Sequence, residues 1–94
     1  MNDIEILQMP LFKRAYRKLH PKEIAAVQEA VRTLVDNPEI GARKKGDLND
    51  IHVHKFKVNR QEILLAYEWN KKQRILIALG THENFYRDLK ARYF

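Results

Sequence analysis

The sequence predicts an α+β fold, with an N-terminal helical hairpin packed on a small twisted antiparallel sheet and a C-terminal helix. Two observations lead to this prediction. Apolar residues recur at helical spacing in the first third of the chain, and from Leu48 onward they recur at every second residue. A chain of 94 residues, 45% of them hydrophobic, is expected to form one domain over residues 1–94 with a modest core.

The N-terminal third is predicted to be a short strand followed by two helices. Residues 2–8 alternate through Ile4 and Ile6, a pattern typical of a strand. Pro10 opens the first helix, and Pro21 suits the first turn of the second. The second helix is expected to end at residues 36–38. The apolar stripes of the two helices are Phe12, Ala15, Tyr16 and Leu19, then Ile24, Val27, Val31, Leu34 and Val35.

The rest of the chain is predicted to form three strands, joined by short polar turns, and a final helix. The middle strand is apolar on both faces, which indicates a central position in the sheet. In the strand before it the apolar positions change from odd to even, and a bulge near His54 and Lys55 would reconcile the two halves. The strands are expected at residues 50–58, 61–69 and 74–79, and the final helix at residues 83–93.

The charge balance points to an anionic partner. Eighteen Lys and Arg against twelve Asp and Glu give a net charge of +6, which suits nucleic acid or an acidic protein; a merely soluble basic domain is the alternative. The chain has no cysteine, which excludes disulfides, thiolate nucleophiles and cysteine zinc sites. No apolar run approaches the roughly 20 residues of a membrane span, and no signal pattern opens the chain, so we expect a cytoplasmic protein.

Two lysines on the first strand of the meander are candidates for binding an anion. Lys55 and Lys57 are two residues apart and therefore lie on one face of that strand. Like charges so placed repel each other, so they form either a solvated face or an anion-binding face. More positive charge flanks the same strands, in Arg43, Lys44, Lys45, Arg60, Lys71, Lys72 and Arg74.

His82 is the strongest candidate for acid–base chemistry. It follows Gly80 and Thr81, where the chain turns from a predicted strand into the final helix. The dipole at a helix N-terminus disfavours the cationic imidazole, so a neutral, basic side chain is expected near pH 7. Tyr86 would project from the same face one turn later. A histidine that only caps the helix is the alternative.

A metal site is not expected. His52 and His54 share one strand face and His82 is a conceivable third ligand, but no carboxylate or thiolate has a suitable spacing to complete the set. The sequence also contains no glycine-rich phosphate loop and no Ser-His-Asp set. We therefore expect neither a metal nor a cofactor.

Two segments resemble the RelE/ParE superfamily, the toxins of bacterial type II toxin–antitoxin systems. HKFKV followed by ILLAY is similar to the lysine-rich and apolar strands of RelE, whose paired lysines contact mRNA; the matching positions are Lys55 and Lys57. GTHENFY resembles the ending of the HigB and YafQ branches, where the histidine or the following aromatic is implicated in cleavage. These positions are His82 and Tyr86, or Phe85 one residue earlier. The chain departs from RelE where two RelE arginines are replaced by Leu64 and His82.

The resemblance implies a metal-independent, ribosome-dependent mRNA endoribonuclease that inhibits translation and is neutralised by a cognate antitoxin. His82 would act as base or acid, and Lys55 and Lys57 would stabilise charge on the reacting phosphate. Tyr86 would stack on a base or assist proton transfer, and Glu62 is a second acid–base candidate. Further RNA contacts are expected at Arg43, Lys45, His54, Arg60, Lys71, Arg74 and Arg87.

Two other functions share parts of this pattern. The ParE branch has the same fold but acts on DNA gyrase without cleaving RNA, so the fold does not settle the activity. The histidine–aromatic ending favours the nuclease. A small DNA- or RNA-binding module would explain the charge but not the GTH segment.

Overall fold

The computed structural model describes residues 3–43, 51–81, 85–87 and 89. It confirms the predicted α+β class, with the helical hairpin packed on the sheet and helical residues at 85–87 and 89 near the C-terminus. The elements before them are β1 (Glu5–Gln8), α1 (Pro10–Arg17), α2 (Pro21–Asp36), a 3-10 turn (Pro38–Ile40), β2 (Ala42–Arg43), β3 (His52–Val58), β4 (Gln61–Trp69) and β5 (Gln73–Gly80).

Both hairpin helices begin with a proline, at Pro10 and Pro21. A proline is tolerated in the first turn because its missing N–H would have no helical acceptor there. The backbone N–H of His20 donates to the carboxylate of Glu23 at 2.9 Å, which fixes the first turn of α2. Neither helix, nor any other in the described ranges, is long and apolar enough to cross a membrane.

The five strands form a sheet in the order β1-β5-β4-β3-β2. β3, β4 and β5 form the predicted antiparallel meander, and the strand β2, which was not predicted, pairs antiparallel with β3. β1 pairs with β5 in parallel instead, with Glu5 opposite Gln73. The sheet is therefore mixed. The chain between β1 and β5 contains both helices and three further strands, so no tight turn holds β1 antiparallel to β5.

Alternate residues of the central strand β4 belong to two apolar clusters, one on each face of the sheet. On one face, called here the hairpin face, β4 packs against α1 and α2; on the other, the final-helix face, it packs against residues 85 and 89. This arrangement explains why both sides of β4 are apolar in the sequence. The hairpin face buries Phe12, Val27, Leu34, Ile63, Leu65 and Tyr67, and the final-helix face buries Ile51, Val53, Leu64, Ala66, Phe85 and Leu89.

The bulge predicted in β3 is absent. β3 pairs with β4 without interruption along its whole length, including His54 and Lys55, so that prediction was wrong. The apolar pattern changes phase because each half of the strand meets a different helical layer. Val53 packs into the final-helix cluster, whereas Phe56 points to the opposite face and packs against the hairpin cluster.

The irregular position of the sheet lies instead in β5. Ala66 pairs with Ala78, but the next residue of β4, Tyr67, pairs with Leu76. Ile77 is therefore an extra residue, and this insertion is a β-bulge. It lets two successive residues of β5, Ile77 and Ala78, both join the final-helix cluster.

Tyr67 ties the core to the segment that enters β2. Its buried hydroxyl donates to the carbonyl of Pro38 at 2.6 Å and accepts from the N–H of Gly41 at 2.9 Å. A Cβ on residue 41 would lie 2.6 Å from that hydroxyl, so this close approach requires glycine. Burial is the main influence on the Tyr67 hydroxyl, and it raises its pKa.

Candidate nucleic-acid interface

The β3–β4 hairpin presents two lysines to solvent. Lys55 and Lys57 are exposed and lie opposite Leu64 and Glu62 on β4, so all four side chains belong to the final-helix face. Two residues of strand separate the lysines by about 7 Å, close enough for both ammonium groups to contact one phosphodiester. Glu62 is exposed directly across from Lys57. The hairpin therefore places two cations and one carboxylate together.

The turn of this hairpin adds a third cation in an unusual backbone conformation. Asn59 and Arg60 have positive φ values of 49° and 72° and link the paired residues Val58 and Gln61. Positive φ at both central residues defines a type I′ turn, in which glycine is the usual second residue. An arginine there strains the backbone. The strained residue, Arg60, lies at the exposed tip of the hairpin, close to Lys57.

One row of cross-strand pairs connects the lysines with the end of β5. Lys55 is opposite Leu64, and Leu64 is opposite Gly80, the last residue of β5. Two strand spacings make this row about 10 Å wide. Beyond it, the N–H of Phe85 donates to the carbonyl of Thr81 at 3.0 Å, which begins a helical turn. The lysine strand and the start of the final helix thus lie on one side of the molecule.

Tyr86 occupies the same face as the lysine pair. It is half-buried against the final-helix cluster and meets Phe85 edge-on, with ring centroids 5.0 Å apart. Arg87, the next residue, is exposed. His82 and Lys45 lie outside the described residues, so the acid–base role of His82 and the RNA contact of Lys45 stay predictions.

Arg74 does not have the role that its charge suggested. Its side chain is 4% exposed, which leaves no surface for an RNA phosphate, so the prediction that Arg74 contacts RNA was wrong. Its guanidinium donates to the carbonyls of Leu34 and Val35 at 2.7 and 2.9 Å, two of the last four carbonyls of α2. It also donates to Asn70 at 2.7 Å. Arg74 therefore caps the C-terminal end of α2 in the interior of the protein.

Three other predicted RNA contacts lie away from the lysine pair. His54 is half-buried on the hairpin face, stacked on Phe56 at 5.7 Å, and this burial lowers its pKa. Arg43 is exposed at the β2 edge, opposite His52. Lys71 is exposed in the turn after β4, roughly 30 Å along that strand from the hairpin tip. Direct contact of all predicted residues with one short RNA segment is therefore excluded.

The histidines of β3 lie near no third potential metal ligand among the described residues. Within the described ranges, no group of three potential metal ligands comes together. His52 packs against Tyr67 and Trp69, with ring centroids 5.6 and 6.2 Å away, and its Nδ1 is buried without a hydrogen-bond partner among the described residues. An aromatic packing role accounts for its position.

A cleft of about 520 Å³ opens between α1 and the end of β5. Arg14 and Lys18 line it on the helix side, and Gly80 and Thr81 line it on the strand side. These two cations were not predicted to be functional, because a helix with one apolar stripe is expected to carry charges on its other side. The signal that the sequence did contain is the segment KRAYRK, in which every charged residue is basic.

The comparisons with known proteins agree on one group of relatives. The family model of ParE-like toxins of type II bacterial toxin–antitoxin systems matches residues 6–90. No curated protein shows significant sequence similarity. Among solved structures, a mutant of the Escherichia coli toxin RelE in the free state superposes with a TM-score of 0.73 at 16% identity, covering 97% of this chain and 94% of that one.

Two further structures have the same fold. A chain of the Mycobacterium tuberculosis toxin–antitoxin complex RelBE2 gives a TM-score of 0.72 at 18% identity, covering 85% of this chain and 99% of that one. The YoeB/ParE toxin from Agrobacterium tumefaciens gives 0.65 at 10% identity, covering 84% and 99%. Identities this low establish a shared fold and leave the activity to be argued from the site.

Proposed function

We propose that this chain, which belongs to the ParE-like toxins of type II bacterial toxin–antitoxin systems, is an endoribonuclease that cleaves ribosome-bound mRNA. Its toxic effect would be the arrest of translation in the cytoplasm, with residues 1–94 acting as one domain. The observation that supports the proposal best is the exposed pair Lys55 and Lys57, in one cross-strand row with Gly80 at the start of the GTH segment.

The chemistry follows from what metal-free RNA cleavage requires. A base must remove the 2′-OH proton, an acid must protonate the leaving 5′-oxygen, and cations must stabilise the charge that develops on phosphorus. Lys55 and Lys57 would supply the cations. His82 would supply the base or the acid, and Glu62, exposed across from Lys57, would supply the complementary group.

RNA would be held around this centre by groups on the same face. Arg60 at the hairpin tip and Arg87 on the final helix are exposed and suited to phosphate contacts. Tyr86, half-buried beside Phe85, has a ring that would stack on an unpaired base. A ribosome would contribute by presenting the message in an extended form.

A cognate antitoxin would be the second partner. The Escherichia coli RelBE, Mycobacterium tuberculosis RelBE2 and Pyrococcus horikoshii RelE–RelB structures are toxin–antitoxin complexes with this fold. For this chain an acidic or amphipathic antitoxin segment would complement the cationic lysine face. Exposed charges are screened over roughly 8 Å at physiological ionic strength, so salt should slow the encounter more than it weakens the final complex.

The test is cleavage of a message in a reconstituted translation reaction, mapped by primer extension. His82→Gln should reduce the cleavage rate by roughly 10²- to 10⁴-fold, the usual effect of losing a general acid or base. Lys55→Ala and Lys57→Ala should each weaken cleavage. The matched control is Lys71→Ala with Lys72→Ala, which removes two charges in the turn at the far end of β4 and should leave cleavage intact.

A second candidate function is inhibition of DNA gyrase, which the match to the ParE-like family model favours. A supercoiling assay with purified gyrase separates the two functions. If the parent protein blocks supercoiling while messages stay intact, and His82→Gln remains as toxic as the parent, the nuclease proposal is overturned and the gyrase function takes its place.

A further inference from the structure

The solvent-facing side of α1 carries four cations and no acidic residue. Between Lys13 and Lys18, every exposed residue is basic. The segment from Pro10 to Lys18 therefore has a net charge of +4, whereas α2 has two basic against three acidic residues, a net charge of −1. We call the four residues the α1 basic face: Lys13, Arg14, Arg17 and Lys18.

Helical geometry gathers these cations into one patch. At 3.6 residues per turn they span an arc of about 140° directly opposite Phe12, which is buried in the core. Lys13 and Arg17 are four residues apart, as are Arg14 and Lys18. Like charges at this spacing destabilise a helix.

None of the four forms a salt bridge with another described residue, although α2 does contain such a pair, with Arg32 and Glu29 2.8 Å apart. The hairpin thus pairs opposite charges on one helix and leaves only positive charge on the other. Favourable interaction with the helix dipole extends to the last turn alone, so it does not account for Lys13. An external anion would relieve the repulsion.

We propose that the α1 basic face binds the phosphate backbone of double-helical RNA. The exposed residues of the patch are all basic, so it has no apolar centre of the kind that protein interfaces usually contain, whereas nucleic-acid interfaces are strongly cationic. Arginines 14 and 17 can each grip a phosphate with two hydrogen bonds. The aromatic rings of α1, Phe12 and Tyr16, pack in the core, so the patch offers no platform for an unpaired base.

This surface does not include Lys55 or Lys57, although Arg14 and Lys18 share a cleft with Gly80, Thr81 and Phe85 next to the proposed nuclease site. α1 packs on the hairpin face of the sheet, while Lys55 and Lys57 lie on the final-helix face. Arg14 and Lys18 stand beside the cleft that reaches Gly80 at the sheet edge. The protein would therefore hold structured RNA on one side and act on a single strand on the other.

The experiment measures binding of the full chain to a short RNA duplex of arbitrary sequence, by fluorescence anisotropy over a range of salt concentrations. Lys13→Gln with Arg17→Gln should weaken binding and lower the slope of log K against log salt by about 2, because each lost phosphate contact removes about 1. Glutamine keeps the helix propensity of the residues it replaces. The quadruple glutamine variant should abolish binding.

The matched control is Lys71→Gln with Lys72→Gln, which removes the same charge at the opposite end of β5 and should keep the parental slope. Circular dichroism verifies that each variant is folded. If the quadruple variant is unfolded, the binding slope of the Lys13→Gln, Arg17→Gln variant tests the proposal. The proposal is wrong if the α1 double variant binds the duplex like the parent, or if the control loses as much affinity.

Discussion

Arg74 shows how one buried cation can join two layers of the molecule. Its guanidinium forms no salt bridge with a carboxylate of the described residues. It donates instead to carbonyl oxygens of α2 and of the β4–β5 turn. The ring of Trp69 lies 5.8 Å from its central carbon and adds a cation–π contact. The charge thus fixes the end of α2 against β5, which keeps the hairpin seated on the sheet.

Replacing Arg74 should destabilise the protein without directly affecting an RNA contact. Arg74→Met leaves buried carbonyls of Leu34 and Val35 without donors, and the free energy of unfolding should fall by roughly 3 kcal/mol. Arg74→Lys should recover part of this loss because lysine keeps the charge but not the planar fork. Urea denaturation measures both variants. A neutral result for Arg74→Met would contradict the structural role.

His54 makes the stability of the fold depend on pH. Its half-buried position on the hairpin face lowers its pKa, so below pH 6.5 the unfolded chain binds this proton more readily than the folded protein. The stabilising effect of the neutral imidazole is complete above about pH 6.5. It is lost as the pH falls from there toward the lowered pKa of the folded state.

His54→Gln should therefore flatten the stability profile between pH 7 and pH 5. The measurement is urea denaturation of parent and variant at several pH values, and the difference between them isolates this residue from the carboxylates. The parent should lose more stability than the variant on acidification. An identical pH dependence of the two proteins would show that His54 is solvated in the folded state.

At the scale of elements, the β3–β4 hairpin combines strain with exposed charge. Arg60 has a φ of 72° in a turn that favours glycine, and one residue pair of the hairpin separates the turn from Lys57. Natural proteins keep such strained residues where the side chain has a function. The strain at the tip is consistent with an RNA contact by Arg60.

Arg60→Gly should therefore change stability and activity in opposite directions. Glycine relieves the positive φ, so the free energy of unfolding should rise by roughly 1 kcal/mol, while cleavage of ribosome-bound message should weaken through the lost cation. Asn59→Gly is the control, because it relaxes the same turn and removes no charge. If Arg60→Gly were as active as the parent, Arg60 would have no part in binding RNA.

At the scale of the whole molecule, the positive charge is divided between two opposite sides of the sheet. The α1 basic face lies over the hairpin face, and the lysine pair lies on the final-helix face, with the buried layers of the core between them. A message bound to a ribosome offers both a single strand and double-helical RNA nearby. Two separate surfaces would let both kinds of RNA contribute to binding.

The two surfaces should act independently on ribosome association. The two pairs lie on opposite faces of the sheet and do not contact each other, and such sites usually have additive effects within about 0.5 kcal/mol. Combining Lys55→Gln and Lys57→Gln with Lys13→Gln and Arg17→Gln should change the binding free energy by the sum of the two double variants, as measured by ribosome co-sedimentation. A combined effect well below the sum would indicate one shared RNA contact.

The two hairpin helices, the three-stranded meander and the central position of β4 could be predicted from the sequence. These features depend on local spacing: apolar stripes at helical period, prolines at helix starts, and alternation on both sides of β4. The sequence also predicted that Lys55 and Lys57 lie on one face, since residues two apart in a strand share a face. The short resemblance in HKFKV and GTHENFY then indicated the toxin family, which the family model confirms over residues 6–90.

Contacts between segments far apart in the chain determine which charges are available to a ligand and which strand carries the bulge. The charge of Arg74 was visible in the sequence, but its burial depends on α2 ending beside β5, forty residues apart in the chain. The phase change in β3 was predicted to be a bulge. The periodicity of a strand does not show that two different helical layers cover its two halves. Long-range packing decides whether a charged side chain is buried, and the local sequence pattern around Arg74 did not show it.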